Sequence, residues 1–227
     1  MLSEKIGTSI VSENTTAEKQ EVWTGSLDFV RSKALREEIK KYVSNPEHFL
    51  GKGGAAMVFS FEGQCVKLMK NRHNSASAGM FKLGNTAEKE FEIQGMLDEF
   101  EVDGVYSPMT GICYTGQENT AIVMEELNAV NLQLVINGEK SLPANFNADD
   151  FCLKLETYIY EMHDFGIAHG DLFARNVMID NETGNPRVID FGKAMYSKNQ
   201  KDSNFVNMTK EDVKNLNNIL LTIENKL

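Results

Sequence analysis

Cysteine is scarce in this chain: Cys65, Cys113 and Cys152 are three in number and far apart. That pattern excludes a disulfide framework and a cysteine-built zinc site and suits a reducing compartment, so each is expected as a small buried hydrophobe. Long apolar runs are also missing, which excludes a membrane span. The opening "MLSEKIGTSIVSENTTAEKQ" has no basic stretch leading into an apolar one, so no classical signal peptide is expected, and the anticipated form is soluble and cytoplasmic. Basic charge is short as well. With 23 Lys and Arg against 33 Asp and Glu, a net charge of −10 and no local Lys/Arg cluster, general phosphate attraction to nucleic acid is excluded. There is no internal repeat.

What is present is a 227-residue chain, 41% hydrophobic, able to bury one sizeable core or a small and a larger lobe flanking a cleft. Residues 1–26 are polar with Trp23 as their one large anchor, and are expected to be mobile. From Asp28 to Val43 apolar residues recur at helical spacing, which predicts an amphipathic helix ended by Asn45-Pro46. The run "FLGKGGAAMVFSFEGQCVKLMK" reads as an antiparallel meander turned at a glycine cluster and at Glu62-Gly63. A polar stretch from Asn71 to Asn85 follows. "TAEKEFEIQGMLDEF" predicts a helix, "TAIVMEEL" a strand, and "NADDFCLKLETYIYEMHDFG" a helix opening at Asn147 and stopping at Gly166. "NVMID" and "RVID" bracket "NETGNP" as a hairpin, and a last helix is expected from Thr209 with Val213, Leu216, Ile219, Leu220 and Ile223 inward. The order is a β-rich part first and a helical part second.

Three segments carry chemistry. In "LGKGGAAMVF", Gly51 and Gly53 sit between two strands, where a missing side chain lets backbone N–H groups approach a phosphate; a plain glycine hairpin reads the same way. No Gly-Lys-Ser/Thr ending is present, which excludes a P-loop. In "QCVKLMK", strand alternation puts Cys65 and Lys67 on one face. Lys67 is either a solvent-facing edge lysine or a point charge held by Glu88, Glu90 or Glu92 of the next helix, and spacing leaves all three open. In "HGDLFARN", Asp171 and Asn176 lie in a loop between a helix and the hairpin whose second strand delivers Asp190 of "IDFG". One Asp in a turn is an ordinary cap. Two acids and an amide together form a hard-oxygen set suited to Mg²⁺ and to proton acceptance.

In their order these segments resemble the protein kinase superfamily over about residues 48–220: Gly51-x-Gly53 then Val58, a strand lysine, an acidic helix, "IVMEEL", "HGDLFARN" and "DFG". The resemblance implies an α+β, bilobal protein-kinase-like fold, with a small antiparallel β-sheet N-lobe and a reduced helical C-lobe. Its boundaries would be a polar 1–26, an N-terminal helix plus N-lobe and hinge at 27–127, and a truncated C-lobe at 128–227. It implies ATP and Mg²⁺ as cofactors, Asp171 as catalytic base, Asn176 and Asp190 as metal ligands, and Lys67 as the phosphate-binding lysine. Glu90 is the best match to its ion-pair partner. Arg175 is counted with the catalytic set. Gly51, Gly53, Val58, Cys65, Lys67, Met124 as gatekeeper, Glu125 and Leu127 would line the nucleotide.

The departures matter too. Ala56 stands at the usual third glycine, Gly170 replaces the Arg of His-Arg-Asp, and Phe173 holds the place of the lysine usual in serine/threonine kinases. Arg175 holds the place of the arginine in the tyrosine-kinase "AARN" pattern. Only 22 positions separate Asp190 from Asp212, with no Ala-Pro-Glu between them. Asp212 resembles the acid opening the family's central buried helix, or is an acid in the first turn of a helix capped by Thr209. The brevity resembles minimal bacterial effector kinases of the OspG and NleH type. That implies a protein kinase with serine/threonine rather than tyrosine chemistry, active without activation-loop phosphorylation. Its substrate would be a host protein in the host cytoplasm, and an activating host protein is a further expected partner. Small-molecule kinases of the aminoglycoside or choline type share His-Gly-Asp and are the alternative reading, as is a non-catalytic ATP-binding module.

Overall fold

The computed structural model describes residues 29–30, 45–52, 56–61, 63–70, 86–115 and 119–227. The expectations for 1–26, Trp23, most of the Asp28–Val43 helix, Gly53, Glu62 and Asn71–Asn85 fall outside them. The chain forms two compact units, Met1–Gly95 with Met109–Glu126, and Met96–Pro108 with Leu127–Leu227. Met96–Pro108 thus belongs to the second unit, whereas the sequence reading placed it in the first.

The first unit is a six-stranded sheet with one helix. Its elements are β1 (Phe29–Val30), β2 (Phe49–Lys52), β3 (Ala56–Phe61), β4 (Gln64–Lys70), α1 (Ala87–Gly95), β5 (Thr110–Thr115) and β6 (Asn119–Glu125), with strand order β1-β5-β6-β4-β3-β2. The expected meander is present, with Val58 paired to Lys67 and Cys65 paired to Met124. Two corrections apply. Phe29 and Val30 form a short strand parallel to β5 where a helix was expected, so the sheet is not purely antiparallel. Lys67 lies on β4, an interior strand, so it is not an edge lysine. Helix α1 stops at Gly95, short of the expected Phe100. It packs Phe91 and Ala87 onto Met69, Cys113, Ile122 and Met124, which closes a core on that face of the sheet.

The second unit is mainly helical. It contains β7 (Ala129–Asn131), α2 (Leu132–Ile136), α3 (Ala148–Asp164), β8 (Ile167–Ala168), β9 (Val177–Asp180), β10 (Pro186–Val188), β11 (Met195–Tyr196) and α4 (Ser203–Lys226). As the sequence predicts, α3 opens on Asn147, whose side chain accepts from Asp150 N–H, and ends before Gly166 at φ +96°. The β9–β10 hairpin pairs antiparallel, and Asp180 Oδ1 accepts from the N–H groups of Glu182 and Thr183 in its turn. Helix α4 begins six residues earlier than expected, because Asp202 caps it by accepting from Asn204 and Phe205 N–H. Leu216, Ile219 and Ile223 are buried along it.

Polar groups tie Met96–Pro108 into this unit. Ser107 Oγ and the Tyr158 hydroxyl are 2.8 Å apart, both buried, and burial pushes the phenol's pKa well up. Arg187 lies over the Tyr106 ring at 3.8 Å and donates to Gly104 O and to Asp180 Oδ2. Among the described residues no helix is long and apolar enough to cross a membrane. All three cysteines are free; only Cys113 is fully buried, while Cys65 and Cys152 are partly exposed, a correction to the expected burial of all three.

Candidate active site

The first unit carries an ion pair. Lys67 Nζ is 2.5 Å from Glu90 Oε1, with the side chains 11% and 0% exposed. Helix α1 buries Ala87, Glu90, Phe91, Ile93 and Gln94, so of the three glutamates in the run Glu90 alone is on its buried face. Glu92 pairs instead with exposed Lys89 at 3.5 Å. A lysine so deep in a sheet core is stable as a cation only with such a partner. Near it, Cys65 donates to Glu125 O at 3.6 Å, and burial with neighbouring Glu126 pushes its thiol up to about 12, so it stays a neutral thiol. Met124 is buried, Glu125 N–H donates to Met109 O, and Glu126 accepts from Ser60 Oγ at 2.8 Å. On β2, a Cβ added to Gly51 would meet nothing within 4 Å among the described residues, so chain packing does not require a glycine there. Val58 is partly buried on β3, and Leu127 begins the later stretch of the second unit.

The second unit carries the loop. His169 follows the short β8, buried completely, with its ring 5.0 Å from Phe191 and Nε2 bonded to Ile189 O. Desolvation lowers its pKa, so the ring sits neutral, with Nδ1 accepting from Asp171 N–H at 3.2 Å. Asp212 supports the loop from α4. Its Oδ2 accepts from His169 N–H at 2.7 Å and contacts His163 Nε2 at 3.2 Å, while Oδ1 accepts from Gly170 N–H at 2.9 Å. Asp212 is therefore well inside α4 and not in its first turn, which revises the Thr209-capped alternative.

Asp171 itself is crowded with donors. Arg175 Nη2 reaches Oδ2 at 2.9 Å, Lys193 Nζ reaches Oδ1 at 2.8 Å, and Asn176 Nδ2 reaches the backbone O at 2.8 Å and Oδ2 at 3.3 Å. Since the Asn176 amide nitrogen is engaged by Asp171, its carbonyl oxygen is the atom left to serve as a ligand. Asp190 is exposed and held at φ +66°, a backbone region that an ordinary residue adopts only when its surroundings enforce it. An amide oxygen and a carboxylate are the hard donors Mg²⁺ takes alongside nucleotide phosphates, so this pair fits that ion.

Sequence reasoning missed Lys193 and left the role of Gly170 open. Gly170 has φ +72°, and a Cβ there would lie 2.6 Å from Lys193 O. The residue where an arginine was expected thus lets the segment after "DFG" lie directly on the loop. "DFGK" placed a lysine beside the site in sequence, but only the fold shows what it touches.

These features are those of the protein kinase fold, and the sequence matches the protein kinase domain family over residues 45–214 of its 227. The chain belongs to that family. It is 28% identical over 109 residues, 46% of this chain and 31% of the relative, to serine/threonine-protein kinase mos of Patiria pectinifera. It is 30% identical over 89 residues, 36% of this chain and 42% of the relative, to EKC/KEOPS complex subunit BUD32 of Enterocytozoon bieneusi (strain H348). The chain spans less than half the length of either relative.

Proposed function

We propose that this chain is an ATP- and Mg²⁺-dependent protein kinase that transfers the γ-phosphate to a serine or threonine hydroxyl of a protein. The observation that carries the reading is the Asp171 carboxylate, anchored by Asn176 on a loop whose backbone is held by buried Asp212. A carboxylate so placed can accept the hydroxyl proton while Lys67, oriented by Glu90, provides fixed positive charge for phosphate oxygens. Asn176 and Asp190 would hold the magnesium ion, which supplies charge neutralisation on the phosphates when bound.

Activity without phosphorylation of the activation segment belongs to the same reading. Its support is Gly170, which offers no cation to a phosphate, and the brevity of the segment, which reaches the α4 cap at Asp202 within 12 positions of Asp190. That compactness also supports an effector acting on host proteins, with a host protein as docking or activating partner. The test is incubation with radiolabelled ATP and Mg²⁺ in a cell lysate. Label on serine or threonine of a protein supports the reading, and label confined to a small molecule overturns it in favour of an aminoglycoside- or choline-type kinase.

A further inference from the structure

Asp171 can take a proton from a hydroxyl only through an oxygen within about 2.6–3.2 Å of it. In the structure both oxygens are engaged. Oδ2 faces Arg175 and Asn176, and Oδ1 faces Lys193. The Oδ2 side is the better held one, because Asn176 is buried and the Arg175 guanidinium, itself 51% exposed, also lies over the Phe173 ring at 4.3 Å. Lys193 has no such second hold among the contacts described. Its side chain is 53% exposed, and an ammonium on a four-carbon stem swings freely. Its backbone cannot follow that swing. Lys193 O lies against Gly170, the Ala194 N–H bonds Phe191 O at 2.9 Å, and the Phe191 ring is buried beside His169. The base of the side chain is therefore held by more contacts than its tip, and the tip rests on the oxygen that must open.

Resting on the protein-kinase reading, we propose that Lys193 takes part in the transfer. Its ammonium occupies Asp171 Oδ1 until an acceptor hydroxyl arrives, then passes to the oxygens of the phosphoryl group in transit. In that step the hydroxyl oxygen's electron pair forms the new O–P bond, and the bond from γ-phosphorus to the β–γ bridging oxygen breaks with its pair leaving on ADP. The hydroxyl proton goes to Asp171 Oδ1. Lys193 stays protonated throughout and contributes charge where charge is changing hands. Gly170 and Lys193 thereby become one device, since the absent side chain at 170 brings the lysine to the base.

The test uses the full chain with Lys193→Met and Lys193→Arg, read as MgATP hydrolysis and as labelling of dephosphorylated casein. Binding of MgADP with and without aluminium fluoride, which mimics the phosphoryl group in flight, is measured in parallel. Lys193→Met should lower kcat about 100-fold. MgADP affinity should stay within about twofold of wild type, and the tightening by aluminium fluoride should be lost. Lys193→Arg should recover most of both. An unchanged kcat in Lys193→Met overturns the proposal. So does a lowered kcat with the aluminium fluoride effect intact, which would make Lys193 a positioning residue for Asp171 only. Equal melting temperatures confirm that both variants fold, as a half-exposed position leads one to expect. The protein-kinase reading is judged separately, by whether the wild-type chain labels protein, because transfer to water alone suffices to read Lys193.

Discussion

The carboxylate of Asp212 accepts the backbone N–H of His169 at 2.7 Å, joining a helix to a loop 43 residues earlier in the chain. With the Gly170 N–H on its other oxygen, it satisfies two successive loop amides and leaves the loop little freedom to turn. Asp212 is 1% exposed. Asp212→Ala should therefore strand buried donors and cost about 2–5 kcal/mol of stability, read by urea unfolding. Transfer should fall with it, and Asp212→Asn, which returns one acceptor, should fall between.

Lys67 and Glu90 make a second test. Lys67→Met should lower transfer by roughly 100-fold or more, and Glu90→Ala by less, since the first removes the charge proposed to meet the phosphates and the second only its orientation. Glu90→Ala should lower the melting temperature as well, because it removes the buried carboxylate that a nearly buried ammonium faces. Glu88→Ala and Glu92→Ala should stay close to wild type in both assays. Inactivation by either of those, with Glu90→Ala active, would reverse the assignment.

Asp171 and Asp190 should separate by what each variant retains. Asp171→Asn should abolish transfer and keep nucleotide affinity nearly intact. Asp190→Ala should weaken nucleotide binding in the presence of Mg²⁺ and have little effect when the ion is chelated. Calorimetric titration of MgADP and of ADP with chelator distinguishes the two. Equal nucleotide affinities in the two variants would rule out the proposed division of labour.

Phosphatase treatment, verified by intact mass, should leave activity unchanged. Loss of activity that returns only on rephosphorylation between Asp190 and Asp212 would show a latch that Gly170 was argued not to serve. Gly170→Ala should cost on the order of 1–3 kcal/mol through its φ of +72° alone, and more through the clash with Lys193 O.

Much of this was legible from local pattern. The cap at Asn147, the stop at Gly166 and the turn after Asp180 are all set by residues within a few positions of one another, which a sequence displays directly. The start of α4 was not, because Thr209 also belongs to the residues that cap helices and lies closer than Asp202 to the apolar run from Val213. Phe29 and Val30 sat in a helical spacing and were taken into a strand by β5, a partner more than 80 positions away. Among the glutamates, periodicity supplied three positions, and only the buried face of α1 selects one. Lys193 was unreadable because its contact depends on the backbone angle at Gly170, two segments apart.

The path of the chain between the units limits how the protein can be divided. It enters the second unit at Met96, returns to the first at Met109 and crosses again at Leu127. A fragment starting at Leu127 would lack both Ser107, the partner of the Tyr158 hydroxyl, and Gly104 O, which receives Arg187. The buried Tyr158 hydroxyl would then lose its partner, and Arg187 would lose Gly104 O and keep Asp180. Neither unit is thus a genetic module that can be excised as one uninterrupted stretch. Only a rearranged gene that splices 96–108 onto the later segment preserves the helical unit's own chemistry, and a simple truncation library across this protein should yield insoluble products at each of the three crossings.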